Sequence, residues 1–245
     1  MANWSTIIPT VVDTIIKALA PAMPEKVPAA HHGLLGGAVV FFGINPKTKR
    51  RFVVQSLEGG GWGGRPMEDG EAGTVSVCQG DVRNGSIEGI ELKCPVVVEA
   101  RELRRDSGGA GKHRGGLGID VRVKNFVEGT WSFERPRRQK NPAWGLWGGK
   151  GGDAAGYFLE KKGESGFKAP EPIRNAVPAE SRAMVRTGGG GGWGNPLERD
   201  PEKVAWDVVE GMVSPEAAKE HYGVVIAANG KLDAAATTAL RQQRK

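Results

Sequence analysis

A run of five glycines, Gly188 to Gly192, followed by Gly194, constrains this chain more than any other feature of its sequence. Glycine tolerates positive φ and lets another backbone or a ligand come close, so such a run is either tightly packed or floppy. The residues after it favour packing: Asp200 is a good N-cap, Pro201 suits a first helical turn, and apolar residues then recur at helical spacing. We therefore predict a constrained loop that leads into a helix over 201–211.

Composition is that of a globular protein. Glycine supplies 38 of the 245 residues, about twice the usual share of roughly 7%, but hydrophobic residues reach 39%. The net charge of +6 is concentrated at 101–105 and 135–140, which favours a solvated basic face over a nucleic-acid partner.

No apolar run approaches the ~20 residues of a membrane span. Cys78 and Cys94, without a secretory signal, predict two reduced thiols in a cytoplasmic protein.

Hydrophobic periodicity predicts an α+β fold, with a β-rich, glycine-loop middle and helices at the N- and C-terminal ends. We expect one domain over 1–230 and a basic C-terminal tail over 231–245. Helices are predicted at 4–20, with the regular part starting near Pro9, after the Ser214 cap, and from Leu232 onward, where the helix projects or docks on a partner. Strands are predicted at 38–44, 51–56, 74–79, 95–104, 119–127, 183–187 and 223–227, with 131–135 pairing with 119–127, and loops at 142–152 and 168–180.

Two glycine segments invite a phosphate-binding interpretation that their spacing does not support. In the segment 107–116, a Walker loop would need glycine where Asp106 stands and Ser or Thr where His113 stands. A GxGxxG pattern ends at Gly194, but the helix begins several residues later and no acidic ribose partner stands at the expected distance. Either segment could still form a nest of amides for an anion.

The histidines and the tryptophans each allow a functional and a structural interpretation. The four histidines show no metal-ligand spacing, so we predict no metal site made by this chain alone, although His31 or His32 could donate one ligand at an interface. Four tryptophans stand beside glycines. They could form an aromatic wall for a flat substrate, but packing over the glycine loops is the favoured interpretation. These tryptophans are Trp62, Trp144, Trp147 and Trp193.

Four blocks in this order resemble the hydantoinase B/oxoprolinase family: GGGWGGRPMEDG (59–70), RDSGGAGKHRGGLGI (105–119), PAWGLWGGKGG (142–152) and the stretch 188–226. The chain resembles only the C-terminal half of a typical member. The acidic and histidine-containing N-terminal blocks associated with metal binding are absent from it. The resemblance therefore implies a separate N-terminal B-like subunit and a chain that is inactive alone.

The family resemblance implies work in a complex. A hydantoinase A-like subunit would bind ATP and phosphorylate a carbonyl oxygen, and the B-like component would take part in the hydrolysis or carboxylation that follows. A divalent metal would be held by partner subunits rather than by this chain alone. We expect a split B-type subunit of a ketone carboxylase of the acetone or acetophenone carboxylase type. The alternatives are a hydantoinase, oxoprolinase or lactamase that hydrolyses a cyclic amide, and a purely structural subunit.

Charge that develops on a phosphorylated carbonyl must be held by fixed donors, and glycine loops with nearby cations could supply them. The catalytic residues cannot be assigned from the sequence. The same loops could instead form the subunit interface, which we favour over an active site. The candidate residues for substrate, anion or interface contacts are Gly60, Gly61, Trp62, Arg65, Asp69, Ser107, Lys112, Arg114, Gly190 and Trp193.

Overall fold

A computed structural model describes residues 4–33, 39–56, 58–77, 85–133, 138–171 and 173–244. Its helices are α1 (Trp4–Leu19), α2 (Ile87–Lys93), α3 (Pro201–Val209), α4 (Pro215–Tyr222) and α5 (Ala234–Gln242). Its strands are β1 (Val39–Ile44), β2 (Arg51–Ser56), β3 (Val96–Leu103), β4 (Ile119–Asn125), β5 (Gly129–Phe133), β6 (Gly156–Glu160), β7 (Ile173–Val177) and β8 (Arg182–Arg186). The predicted α+β class is confirmed.

The strands form two antiparallel sheets packed as a sandwich, in the orders β2-β1-β5-β7 and β3-β4-β8-β6. Alternating residues of β4 face inward, as the sequence predicted. Aromatic side chains dominate the space between the sheets: the rings of Phe41 and Trp131 stack with centroids 4.7 Å apart, and Phe133 lies 5.7 Å from Tyr157. This interior is a conventional hydrophobic core.

Several predicted elements are wrong. Of the predicted strand 131–135, the described residues 131–133 do not pair with β4, because residues 126–128 carry the chain across to the other sheet, where β5 pairs with β1 and β7. Positions 134–135 lie outside the described residues. Strand β7 lies within the predicted loop 168–180. Thr74 forms only a single bridge with Gly60, and 223–227 only a bridge between Ile226 and Leu232. Helix α2 and strand β6 were not predicted, while Ala38 and the positions 78–79, including Cys78, lie outside the described residues.

The predicted helices are present. Helix α1 begins at Trp4 and includes Pro9 rather than starting there. As predicted, Asp200 caps α3 and the Ser214 hydroxyl caps α4. Helix α5 packs on its own chain, since the Arg241 guanidinium donates to the carbonyls of Arg199 and Tyr222. None of the helices in the described part of the chain has both the length and the hydrophobicity needed to cross a bilayer.

Five extended segments next to the sandwich pack backbone against backbone, and we call them together the glycine bundle: 27–33, 58–64, 107–118, 143–153 and 187–194. The last segment is central, because the other four all donate or accept hydrogen bonds with it. A Cβ added at Gly190 would lie 1.9 Å from the Trp62 carbonyl oxygen, and one at Gly61 would lie 1.8 Å from that of Gly116. No side chain larger than hydrogen fits at these positions.

The hydrogen bonds of the central segment repeat every three residues. The backbone groups of Gly188 and Gly191 bond to segments 27–33 and 58–64. The backbone groups of Gly189 and Gly192 bond to segment 143–153. Those of Gly190 and Trp193 bond to segment 107–118. A polyproline-II helix has three residues per turn and makes no internal backbone hydrogen bonds, so it presents its amides and carbonyls to three surrounding neighbours. The predicted constrained loop is thus the axis of a small interior built from backbone.

Candidate functional site

Three segments of the glycine bundle, 107–118, 143–153 and 187–194, meet at one surface, which we call the rim. Trp193 forms bridges with His113 on one side and Leu146 on the other, and the His113 and Trp193 rings lie 6.0 Å apart. Trp147, at a neighbouring turn, is half-exposed and has a positive φ of 53°. Lys112 is exposed beside Gly194. The rim therefore offers one cation, one imidazole and two indoles.

A buried ion network lies beneath the rim and fixes the loop 112–114. Both oxygens of Asp69 accept from the Arg199 guanidinium, Oδ1 from Nη1 at 2.6 Å and Oδ2 from Nη2 at 2.7 Å, and Nη2 also donates to Asp207 Oδ2 at 2.8 Å. Arg199 also donates to the Lys112 carbonyl at 3.2 Å, and Asp69 accepts from the Arg114 amide at 2.7 Å. The backbone on both sides of His113 is thereby held in place.

Electrostatics in this region favour an ionised network and a neutral imidazole. Burial alone would raise the pKa of Asp69, but the hydrogen bond and charge of Arg199 lower the pKa below its usual value. Burial lowers the pKa of Arg199, yet Asp69 and Asp207 outweigh this effect and raise the pKa of the guanidinium. Partial burial lowers the pKa of His113. At neutral pH His113 can therefore accept a proton or a hydrogen bond, while Lys112 supplies positive charge.

The structure brings some of the predicted residues to this region. Asp69 and Arg114 belong to the buried network, while Lys112 and Trp193 lie at the rim. Arg65 follows Gly64, which contacts His113 and Trp193; its guanidinium lies over the Trp62 ring and pairs with Glu68 at 2.6 Å. These five residues come from three separate blocks of the sequence.

The other predicted residues are internal. Gly60, Gly61 and Gly190 are buried against the backbone of neighbouring segments. Ser107 is buried and closes the loop 107–118, because its hydroxyl donates to the Arg104 carbonyl and accepts from the Gly118 amide. The Trp62 indole donates to the Val75 carbonyl at 2.6 Å.

The amides of the central glycine segment already have partners. Every amide from Gly189 to Gly194 donates to a carbonyl of another segment. A nest needs free N–H groups that converge on the anion. These six amides therefore cannot form one without dismantling the bundle, so charge stabilisation at this surface falls to side chains.

A second buried cluster ties α1 to the bundle. The Asp13 carboxylate accepts from His31 Nδ1 at 2.7 Å and from the Arg138 guanidinium. The adjacent His32 is fully buried, and burial together with the charges of His31 and Arg138 lowers its pKa to about 3. Both histidines are buried, so neither is exposed on the surface of this chain.

The residues that the structure describes do not assemble a metal site. Within them, no group of three or more His, Cys, Asp or Glu side chains could hold a metal ion.

Sequence reasoning missed Arg199 and Asp207, which organise the network. Asp207 carried a signal, because it lies three residues from Val204 on the apolar face of α3, where a charge requires a buried partner. Arg199 carried none, since its position next to the N-cap Asp200 is ordinary for a surface arginine.

Comparison with known proteins places this geometry in a family. The family model for hydantoinase B/oxoprolinase matches residues 1–196. The chain belongs to the hydantoinase B/oxoprolinase family. The resemblance stated from four sequence blocks is confirmed.

Three relatives of this hydantoinase B-family chain carry the names of three different enzymes. The putative D-/L-hydantoinase B component of Pseudomonas sp. (strain NS671) is 33% identical over 95% of this chain, and the caprolactamase beta component of Pseudomonas jessenii is 32% identical over 97%. The crystal structure of ATP-dependent caprolactamase from that organism matches 92% of this chain and 40% of its own, with a TM-score of 0.79 and 29% identity. The acetone carboxylase alpha component of Xanthobacter autotrophicus is 29% identical over 75% of this chain and 28% of its own length.

This chain is shorter than its relatives. It spans 38% of the hydantoinase component and 42% of the caprolactamase component. The larger part of each of those proteins therefore has no counterpart here.

Proposed function

We propose that this chain is the B-type component of an ATP-dependent enzyme that opens a cyclic amide. In this proposal a hydantoinase A-like partner binds ATP and phosphorylates the amide oxygen, a B-like polypeptide supplies the part of the fold absent here, and this chain alone is inactive. The observation that carries the proposal is the match to the hydantoinase and caprolactamase components over nearly the whole chain. The sequence favoured ketone carboxylation, but the acetone and acetophenone carboxylase components match this chain at lower identity, 29% and 27%.

We propose that the rim faces the reacting group or the subunit that holds it. The central glycine amides are used inside the bundle, so the candidate polar groups for this role are side chains such as the exposed Lys112 and the neutral His113. As water adds to the carbon of the phosphorylated amide, the electron pair of the C=N bond passes to the ring nitrogen, and a cation near the phosphorylated oxygen stabilises the negative charge of the phosphoryl group. A neutral imidazole within reach of that water can accept its proton.

Ketone carboxylation remains the second candidate, because the acetone carboxylase component also matches three quarters of the chain. The two reactions differ in their co-substrates. Amide hydrolysis consumes water, and ketone carboxylation requires bicarbonate.

The test is an ADP-release assay on the complex purified from the source organism with this chain tagged. We expect release with caprolactam or hydantoin in bicarbonate-free buffer, with the ring-opened acid as product. Release that requires both acetone and bicarbonate would replace the first candidate by the second. If the tagged chain purifies with no ATP-binding subunit and no substrate elicits ADP release, the enzymatic proposal is wrong.

The role of the rim is tested by Lys112→Ala, with Lys162→Ala on an exposed sandwich loop as the matched control. Removal of one fixed charge donor at an active site typically costs on the order of a hundredfold in kcat. We expect a loss of that size for Lys112→Ala with the complex intact, and none for Lys162→Ala. Equal turnover of the two variants would assign the rim to assembly rather than to chemistry.

A further inference from the structure

Helix α1 carries a row of large apolar side chains on its outer surface. Ile7, Val11, Ile15 and Leu19 are each between 42% and 55% exposed. Their spacing of four places them on one face of the helix, one turn above another. The row therefore runs over the described length of the helix as a continuous apolar surface.

This face lacks charge. The two charged residues of α1 are Asp13 and Lys17, and both turn toward the protein: Asp13 is buried, and the Lys17 ammonium lies 5.2 Å from the centre of the Trp144 ring. Beside the row stand Thr10 and Thr14, and the Thr14 hydroxyl donates to the Thr10 carbonyl within the helix. The absence of charge is typical of the buried centre of an interface.

The helix cannot rotate to bury this row against its own chain. The carboxylate of Asp13 is held by His31 and Arg138 in the interior, so rotation would expose an ion cluster. The inward face already contributes its own apolar residues, including the partly buried Ile8, Val12 and Ile16. A helix that is apolar on both faces requires cover on both.

We propose that the α1 row docks against the part of the hydantoinase B fold that this chain lacks. About three fifths of the two Pseudomonas proteins has no counterpart here, while α1 lies within the segment matched by the family model. The occupant is thus an uncharged, apolar surface of that remaining polypeptide. The inference rests on the proposed function only for the existence of a partner with that fold, and it is independent of the reaction.

A photo-crosslinker tests the contact directly. We would replace Ile15 by p-benzoylphenylalanine in the source organism, irradiate the cells, and identify the attached peptide by mass spectrometry. The expected peptide comes from a hydantoinase B-family sequence that lies outside the portion of the family matched by this chain. The matched control replaces Leu92, an exposed apolar residue on α2, and should not yield that peptide.

A peptide from residues 1–245 of a second copy would overturn the proposal in favour of a homodimer. A peptide from an unrelated protein, or no crosslink at Ile15, would also overturn it. Crosslinking to the expected remainder without any ATP-dependent ring opening would support the docking surface and refute the proposed function.

A variant with two carboxylates introduced into the row supplies an independent test. In Val11→Asp/Ile15→Asp, two carboxylates would have to be buried at the interface, so we expect at least a tenfold loss of the co-purified B-like partner. The isolated variant should melt at the wild-type temperature, because both positions are exposed there. Met67→Asp/Leu92→Asp changes two other exposed apolar residues and should retain the partner. Equal recovery with both double variants would contradict the proposal.

Discussion

The sandwich and the glycine bundle exclude water in opposite ways. Between the sheets, large side chains such as Phe41 and Trp131 fill the space. In the bundle, the segments approach so closely that a single Cβ at Gly190 would lie 1.9 Å from a carbonyl oxygen. Burial of apolar side chains stabilises the interior of the sandwich, and hydrogen bonds between closely packed backbone segments stabilise the interior of the bundle. They should therefore tolerate different substitutions.

Gly190→Ala should have the largest effect. Its added methyl group would overlap the Trp62 carbonyl, a backbone atom that cannot move without breaking several hydrogen bonds. We expect more than about 4 kcal/mol of destabilisation, the range typical of severe steric or polar defects. Urea unfolding, or the yield of folded protein, measures it.

Gly85→Ala and Gly163→Ala are the controls for that substitution. An added Cβ meets nothing within 4 Å at either site, and Gly163 differs in having a φ of +86°. Gly85→Ala should change the free energy of unfolding by less than about 1 kcal/mol, and Gly163→Ala should cost about 1 to 2 kcal/mol through its backbone conformation. If Gly190→Ala resembled Gly85→Ala, the close packing of the bundle would be refuted.

Arg199→Met should have the second-largest effect on stability, because the ion network of Asp69, Arg199 and Asp207 holds the loop 112–114 of the bundle in place. Among the residues that the structure describes, the substitution leaves the fully buried Asp207 with the Arg114 guanidinium, at 3.5 Å, as its remaining ion-pair partner. Breaking a buried pair typically costs about 3 to 5 kcal/mol. Thermal and urea unfolding give the value.

The comparison for Arg199→Met is Arg122→Met on the sandwich, where the exposed Arg122 lies 3.7 Å from Glu102. Surface pairs contribute less than about 1 kcal/mol. Similar losses for the two variants would mean that the network is not the anchor described here.

A pH dependence should follow from His32, which is buried within the segment 27–33 of the bundle. The folded-state pKa of about 3 lies below the ordinary histidine value of 6.5, so unfolding takes up a proton between these pH values. The free energy of unfolding should be constant above pH 6.5 and fall as the pH drops toward 3, by an amount on the order of a few kcal/mol. Urea unfolding at about pH 7 and about pH 4.5 measures the change.

His32→Gln should flatten that pH profile, whereas His221→Gln, at an exposed site on α4, should retain it. Wild-type and His32→Gln profiles with the same slope would show that His32 does not carry the dependence.

Phe41→Leu should have the smallest effect and should distinguish the sandwich from the bundle. Leucine is apolar and keeps most of the volume, and side chains in a hydrophobic core can repack around it. We expect about 1 kcal/mol of destabilisation, although Phe41 is fully buried. A loss as large as that of Gly190→Ala, measured in the same urea titration, would remove the distinction between the two interiors.

The sandwich was largely predictable, strand by strand. Strand β4 alternates apolar and charged residues because one face is buried, and the hairpin of β1 and β2 is marked by its turn at Asn45. Pairing was not predictable, because the three residues after β4 could return beside it or cross to the second sheet. Strand β7 was missed because prolines flank it and, as an edge strand, it buries only Asn175 and Val177.

Of the bundle, the sequence predicts only that the glycine run is conformationally constrained. The glycine run and the well-capped helix after it indicate a packed loop. A glycine sequence carries no side-chain pattern, however, so neither the three-residue repeat nor the four surrounding segments can be seen in it. The family resemblance came from sequence blocks, while the position of the rim depends on contacts between residues such as His113 and Trp193, which are far apart in the chain.

Hydrogen–deuterium exchange of the glycine amides tests directly whether the glycine bundle is a packed interior, because an amide in the interior exchanges only when the structure opens. The bundle predicts that the amides from Gly189 to Gly192 exchange as slowly as those of β4, and far more slowly than the exposed Gly163 and Gly166 on a sandwich loop. Exchange of the central segment at the rate of that loop would contradict the account, since it would show a mobile glycine loop in place of a packed interior.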